Sequence, residues 1–401
     1  AITANKGITL SGGTITGGLL DAGTSIGVTA TGALTFSTAK AGTTASLDAD
    51  LAKFDSLASI GLASITGGAV DGGSLTGGGV SIDVTGSVAL ASASSTGDLA
   101  INGASLVGGV LGATGNVRIT LTGNGDLGTT TVAGSLYASG LDLSFAGLAA
   151  QTVELAGRSV TGGTIDAVST LLITADGAVD LDRSTSGSTT EIYAGSLVLP
   201  ELVAGDLALG LSGDALLGTV SATGTADVRA GTLSFSSFSA DGPASVSATT
   251  ITGGSARGGS HLTLTATDAI ELASASAAGT LRASGASITA DGLSSDDTLI
   301  VESTGAVAVG SLYGEFGASV AAGDFTFGRL ASASSVTVNA TSLAGGAIDA
   351  LGSASVTASG AVLFDSASAG LGLSVTAKSL TAPSLAAGGD LTLTIADTAA
   401  L

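Results

Sequence analysis

Apolar residues alternate with serine, threonine and other short polar residues along nearly the whole chain. Val117-Arg118-Ile119-Thr120-Leu121, Leu262-Thr263-Leu264-Thr265, Val336-Thr337-Val338 and Leu391-Thr392-Leu393-Thr394-Ile395 are clear instances. A period of two marks a strand with one buried face. These strands recur at a steady interval. One anchor per unit can be placed at Leu99, Val117, Leu136, Val153, Leu171, Thr190, Leu207, Ala226, Ala244, Leu262, Leu281, Leu299, Val320, Val336, Ala354, Leu373 and Leu391, about 18 residues apart on average. That interval is too short for a propeller blade or a helical repeat and suits one turn of a β-solenoid.

The pattern therefore predicts an all-β chain, a right-handed parallel β-helix of about 22 turns, with three short strands per turn separated by corners. Strands of successive turns would pair in parallel about 4.8 Å apart, a rod on the order of 105 Å for that many turns. No turn can bury its inner face alone, so stability is expected to be a nearest-neighbour sum. The whole of residues 1–401 reads as one continuous solenoid, with residues 1–62 a less regular start. The stretch from Leu47 to Leu62 looks helical in isolation, but by its position in the repeat it is expected to be strand.

Turn signals fall where the corners should be, at Thr96-Gly97-Asp98, Thr114-Gly115-Asn116, Gly205-Asp206, Gly242-Pro243, Gly279-Thr280 and Gly388-Gly389-Asp390. Gly, Asn and Asp tolerate positive φ, which is the expected reason for their recurrence there. A longer period is superposed. The octet Ser64-Ile65-Thr66-Gly67-Gly68-Ala69-Val70-Asp71 returns around Val160, Ile251 and Leu343, at intervals of 95, 91 and 92 residues, which suggests super-repeats of five turns. A further copy around Ile15 falls out of that phase. Ser196–Leu202 and Ser379–Leu385, each with a central proline, echo the same long period.

Composition narrows the function. Of 401 residues 64 are Gly, only 11% are charged and 3% aromatic, while 44% are hydrophobic. Disordered chains combine low hydrophobicity with high charge, and this chain has neither. Lys plus Arg number 11 against 32 Asp plus Glu, a formal charge of −21. Nucleic-acid binding rests on neutralising phosphates with Lys and Arg, so nucleic acid is excluded as a partner, and anionic lipid surfaces with it. With no Cys there can be neither disulfides nor thiolate metal sites. No apolar run approaches the length of a transmembrane helix. The opening Ala1-Ile2-Thr3-Ala4-Asn5-Lys6-Gly7 carries no signal peptide, and both ends read as cut from a longer chain.

The phrase Ala387-Gly388-Gly389-Asp390-Leu391-Thr392-Leu393-Thr394, with Ala204-Gly205-Asp206-Leu207-Ala208-Leu209 and Thr96-Gly97-Asp98-Leu99-Ala100-Ile101, resembles the rod repeats of the filamentous haemagglutinin-like family of large exoproteins. The resemblance covers essentially the whole chain. It implies a right-handed β-helical shaft at the bacterial cell surface and export through an outer-membrane partner. It also implies a role in adhesion or biofilm, with cell-surface or matrix components, or other copies end to end in a fibre, as partners. The family's secretion domain, with its Asn-Pro signature, has no counterpart among these residues.

No constellation of residues carries recognisable chemistry, so no catalytic, cofactor-binding or metal site and no cofactor is expected. The lone His261, in Gly258-Gly259-Ser260-His261, cannot build a histidine metal site or a Ser-His-Asp triad and reads as a corner residue. Asp180, Asp182 and Arg183 are the nearest approach to the acid cluster and base of a polysaccharide lyase, and read as exposed residues of one strand. Asp296-Asp297 reads as a solvated corner. Gly123-Asn124-Gly125-Asp126 matches a calcium β-roll phrase only once. The reading is a structural segment, with a carbohydrate-binding or carbohydrate-cleaving β-helix as the alternative.

Overall fold

The computed structural model describes all 401 residues as 38 strands and no helix. It is a parallel β-solenoid of about 22 turns with about 18 residues per turn. Two compact units, Ala1–Leu199 and Pro200–Leu401, divide the chain. No connection between consecutive strands exceeds three residues. Leu47–Leu62 is strand except at Ile60 and Gly61: Ala45–Ser59 covers most of it and Leu62 opens the next strand, Leu62–Gly77.

In the regular turns of both units a strand of about five residues alternates with one of nine. In the first unit Leu99–Gly103 is followed by Ser105–Ala113 and then Val117–Leu121. The nine-residue strands are bent. Ser105–Ala113 alternates buried and exposed positions except at Gly109-Val110, where two consecutive residues face out. Pairing to the previous turn skips Gly109. Each turn thus has three straight segments, as the pattern predicts, because one break in a period of two re-aims all later side chains.

The inward columns follow the predicted anchors. In the first unit Leu99, Val117, Leu136, Val153, Leu171 and Thr190 are successive register partners. In the second, Leu207, Ala226, Ala244, Leu262, Leu281 and Leu299 continue likewise. The next anchor is Ala318, not Val320: Leu299 pairs with Ala318, and Val320 stacks between Val301 and Val338. Both face inward two residues apart, and the bulkier one masked the register. Each large aliphatic side chain buried in these columns contributes roughly 1.5–3 kcal/mol.

The long period needs revision in the first unit. From Ile15 the register passes through Leu34, Ala52, Val70, Val88, Leu106, Gly125 and Leu143 to Val160, eight turns on. The Ile15 octet therefore lies on the same face as the Val160 octet but eight turns from it, outside the five-turn phase, as the spacing predicts. Ile65 is the outlier: it stacks between Leu47 and Ile82 on a different face. In the second unit Ile251 reaches Leu343 through Ile270, Ile288, Val307 and Phe325, so five turns hold there. Residues 1–62 are as regularly paired as the rest, apart from a register shift between Ala30 and Ala33.

The Gly-Gly phrases at Gly162, Gly253 and Gly345 receive phenylalanine. A Cβ on Gly162 would lie 2.3 Å from the Phe145 ring, one on Gly253 2.4 Å from Phe235, and one on Gly345 2.3 Å from Phe327. Each glycine is the register partner of that phenylalanine one turn earlier. In the second unit one inward column accordingly reads Leu217, Phe235, Gly253, Leu272, Ala290, Val309, Phe327, Gly345, Phe364. Large and small side chains alternate so that turns can stay one hydrogen bond apart while the core stays filled.

Corner glycines are explained differently from the expectation. Only Gly67 and Gly128 have positive φ, and no other residue type does. At the corners the constraint is the neighbouring turn: a Cβ on Gly97 would sit 2.5 Å from the Gly78 carbonyl oxygen, and one on Gly388 2.2 Å from that of Gly370. Corner Asp and Asn act across turns as well. The Asn116 N–H donates to Asp98 Oδ1 at 2.7 Å, Ser135 N–H to Asn116 Oδ1 at 3.0 Å, and Thr225 N–H to Asp206 Oδ1 at 2.7 Å.

Candidate functional site

With the inner faces committed to packing, chemistry must lie on outward positions and corners. His261 is an exposed corner residue whose Nδ1 accepts the Thr280 N–H at 3.0 Å, the role Asp and Asn play at other corners. Asp180 and Asp182 face outward on Ala178–Ser186, with Arg183 beside them at the bend. They stand on an open strand face where nothing encloses a substrate. Asp297 accepts from Thr280 Oγ1 at 3.1 Å and its N–H donates to Ser295 Oγ at 3.1 Å, so it ties a corner together. Gly123–Asp126 forms an irregular corner in which Asp126 Oδ1 accepts the Gly128 N–H at 3.0 Å, with Gly128 at φ +54. No three His, Asp or Glu side chains converge as a metal site would require. No helix is long and apolar enough to cross a membrane.

More than half of the eleven cations form ion pairs, most of these between neighbouring turns. Lys53 meets Asp71 at 2.8 Å, Arg282 meets Glu302 at 2.5 Å and Arg329 meets Asp349 at 3.0 Å. Arg158 grips Asp142, whose Oδ1 also accepts Ser159 Oγ at 2.8 Å. Those two hydrogen bonds, Arg158 first, hold the Asp142 carboxyl below the usual aspartate value. Asp206 is lowered by its bonds from the Thr225 backbone and hydroxyl. Arg118 lies over the Tyr137 ring, 4.5 Å from its centroid. These contacts staple the solenoid and leave no basic field for an anionic ligand.

Two surface hollows stand out. In the first unit, one of about 310 Å³ is bordered by Val107, Asn124, Asp126, Asp142 and Ser144. In the second, one of about 280 Å³ is bordered by Tyr313, Arg329, Ala331, Ala333, Asp349 and Leu351. The second combines an aromatic ring, an ion pair and an exposed leucine. Sequence reasoning missed it, although Tyr313-Gly314-Glu315-Phe316-Gly317 packs two of the chain's twelve aromatic residues and an acid into one corner phrase. The chain matches no known protein family, no curated protein and no solved structure.

Proposed function

We propose that this chain is a load-bearing structural segment, a stretch of the shaft of a large secreted surface protein of the filamentous haemagglutinin-like kind. The observation that carries the reading is the absence of any connection longer than three residues across 38 strands. Enzymes on such scaffolds enclose substrate with long loops, since a flat face cannot exclude water or surround a ligand. Every turn here is instead given to stacking: aliphatic columns inside, backbone ladders between turns, ion pairs and corner caps outside. The Ala387–Thr394 phrase supports the family and, through it, export to the bacterial surface with an outer-membrane partner. Adhesion to cell-surface or matrix components is the task this reading assigns.

Pulling a single unit from its two ends tests the mechanical part. The chain lacks Cys, so a unique attachment thiol can be placed at each end of Pro200–Leu401. Extension is expected to proceed by release of whole turns, each adding about 60 Å of contour for 18 residues. Release at forces no greater than those stretching a disordered chain would remove the load-bearing role.

A further inference from the structure

The corner at Tyr313–Gly317 breaks the rule that governs the rest of the surface. Eight of the nine phenylalanines are buried, while Phe316 is 68% exposed. Leu351 at 74% and Leu371 at 63% are exposed near it. The register places these residues. Tyr313, Ala331, Asp349 and Ser368 are partners in successive turns. The next corner positions run Glu315, Ala333, Leu351, Gly370, then Phe316, Ser334, Gly352, Leu371, bracketed by the pairs Gly314–Ser332–Ala350–Ala369 and Ala318–Val336–Ala354–Leu373. Tyr313, Glu315 and Phe316 on one turn and Asp349 and Leu351 two turns on thus flank the small corner residues Ala331, Ala333 and Ser334 of the turn between. The result is a slot across the solenoid. Tyr313 and Asp349, like Glu315 and Leu351, stand two turns apart, about 10 Å.

We infer that this slot binds a neutral pyranose saccharide, with the rings of Tyr313 and Phe316 against the apolar face of a sugar and Arg329, Asp349 and Glu315 facing its hydroxyls. The chemistry selects this ligand over others. A pyranose alternates C–H faces with a rim of hydroxyls, and the slot alternates aromatic wall with charged, planar hydrogen-bonding groups. The Arg329 guanidinium donates through Nε to Asp349 Oδ2 at 3.0 Å yet remains two-thirds exposed, so both partners keep free valences. The Tyr313 hydroxyl is turned to the Glu315 carboxylate, which fixes the ring as a wall. An extended peptide would need an unpaired sheet edge to add a strand, and these strands are already paired on both sides. A lipid chain would meet the ion pair in the middle of the slot. An anionic sugar would face Glu315, Asp349, Asp296 and Asp297 with one arginine already neutralised.

Carbohydrate binding is independent of the load-bearing role, and the two can fail separately. The protein lacks Trp and has three Tyr, so Tyr137→Phe with Tyr193→Phe leaves Tyr313 as the only tyrosine fluorophore. An array of neutral and anionic glycans would first be screened with the whole chain, and hits titrated by Tyr313 fluorescence. The expected result is saturable binding of a neutral oligosaccharide, weakened about threefold to tenfold by Phe316→Ala, as loss of one aromatic contact implies. Leu351→Ala, at an exposed site on the far wall, should weaken it less, and Arg329→Ala should abolish selectivity among hydroxyl configurations. Failure of every neutral glycan to bind, binding unaffected by Phe316→Ala, or a salt-sensitive preference for anionic glycans would overturn the inference.

Discussion

The pairing of Phe145 with Gly162 can be tested as a unit. A Cβ on Gly162 would have its three nearest neighbours, at 2.3, 2.5 and 2.5 Å, all on the Phe145 ring, whereas ordinary van der Waals contact begins near 3.4 Å. The ring is 6% exposed and cannot swing away without leaving the core. Gly162→Ala is therefore an overpacking change costing about 1–3 kcal/mol. Its φ is not positive, so the backbone adds no strain. Once Phe145→Leu removes the clash, the same alanine should stabilise by about 0.4–1 kcal/mol, because it restricts the unfolded chain. The effect of Gly162→Ala thus reverses sign between the two backgrounds, a swing of about 1.4–4 kcal/mol that overlaps the range of direct-contact couplings and reaches past its upper end. A solenoid opens locally, so the readout is amide hydrogen exchange in Asp142–Gly157 and Ser159–Ala175, not one global midpoint. Protection there should fall about 5- to 150-fold in Gly162→Ala and recover in the double variant. Equal costs in both backgrounds would refute the packing account and leave Gly162 to be explained by its backbone alone.

Three further outcomes follow from individual side chains. Ser184 is fully buried and its hydroxyl has no partner, unlike Ser186 and Thr190, which bond each other at 2.7 Å; Ser184→Ala should stabilise the local turns by about 1 kcal/mol, seen as slower exchange, and a loss would show that the hydroxyl is satisfied. Asp142 and Asp206 have depressed folded-state values, so their contribution is complete above the unfolded aspartate value of about 3.9 and disappears as pH falls through the folded one. Asp206→Asn still accepts the Thr225 N–H, and urea midpoints between pH 5 and pH 2 should then show less acid loss than the parent. The Tyr313 phenol is raised by its hydrogen bond to Glu315, then by burial and the charges of Glu315 and Asp296. In the single-tyrosine background its phenolate absorbance should appear at higher pH than for a free tyrosine, and Glu315→Gln should bring it down.

The fold was legible because two periodicities agree. Alternation fixed which residues face inward, and the 18-residue interval fixed which of them meet, as the Leu99 and Leu207 columns show. What escaped was anything decided between turns rather than along the chain. Ala318 lost to Val320 because both are inward and only register separates them. The Ile15 and Ile65 octets share a phrase but lie on different faces: Gly67 turns a corner at positive φ, whereas Gly17 sits in register with Phe36 of the following turn. A signal did exist: Phe145, Phe235 and Phe327 each precede their glycine by 17 or 18 residues, one turn. The slot at Tyr313 was not foreseen because its walls come from separate turns and its floor is defined by small residues, which a search for reactive groups passes over.

A solenoid can acquire a ligand site on its outer face without loss of stability. Inner positions are coupled: every column residue touches its partners above and below, so a volume change propagates, as at Phe145 and Gly162. Outward positions beside small neighbours are not. Phe316 faces Ser334 and then Gly352 across the turns, and Leu351 sits between Ala333 and Gly370, so each protrudes without a packing partner to satisfy. Exposed apolar side chains of this kind contribute little to stability, which leaves their identity free to follow a ligand. A hollow needs only large residues on two turns and small ones between, and the alternation of outward side chains supplies both without any loop. On this reasoning Phe316→Ala should leave exchange protection in Gly317–Ser332 within about 0.5 kcal/mol of the parent while weakening sugar binding about threefold to tenfold. A loss of protection there would mean that Phe316 serves the fold, and the slot would lose its best argument for a function of its own.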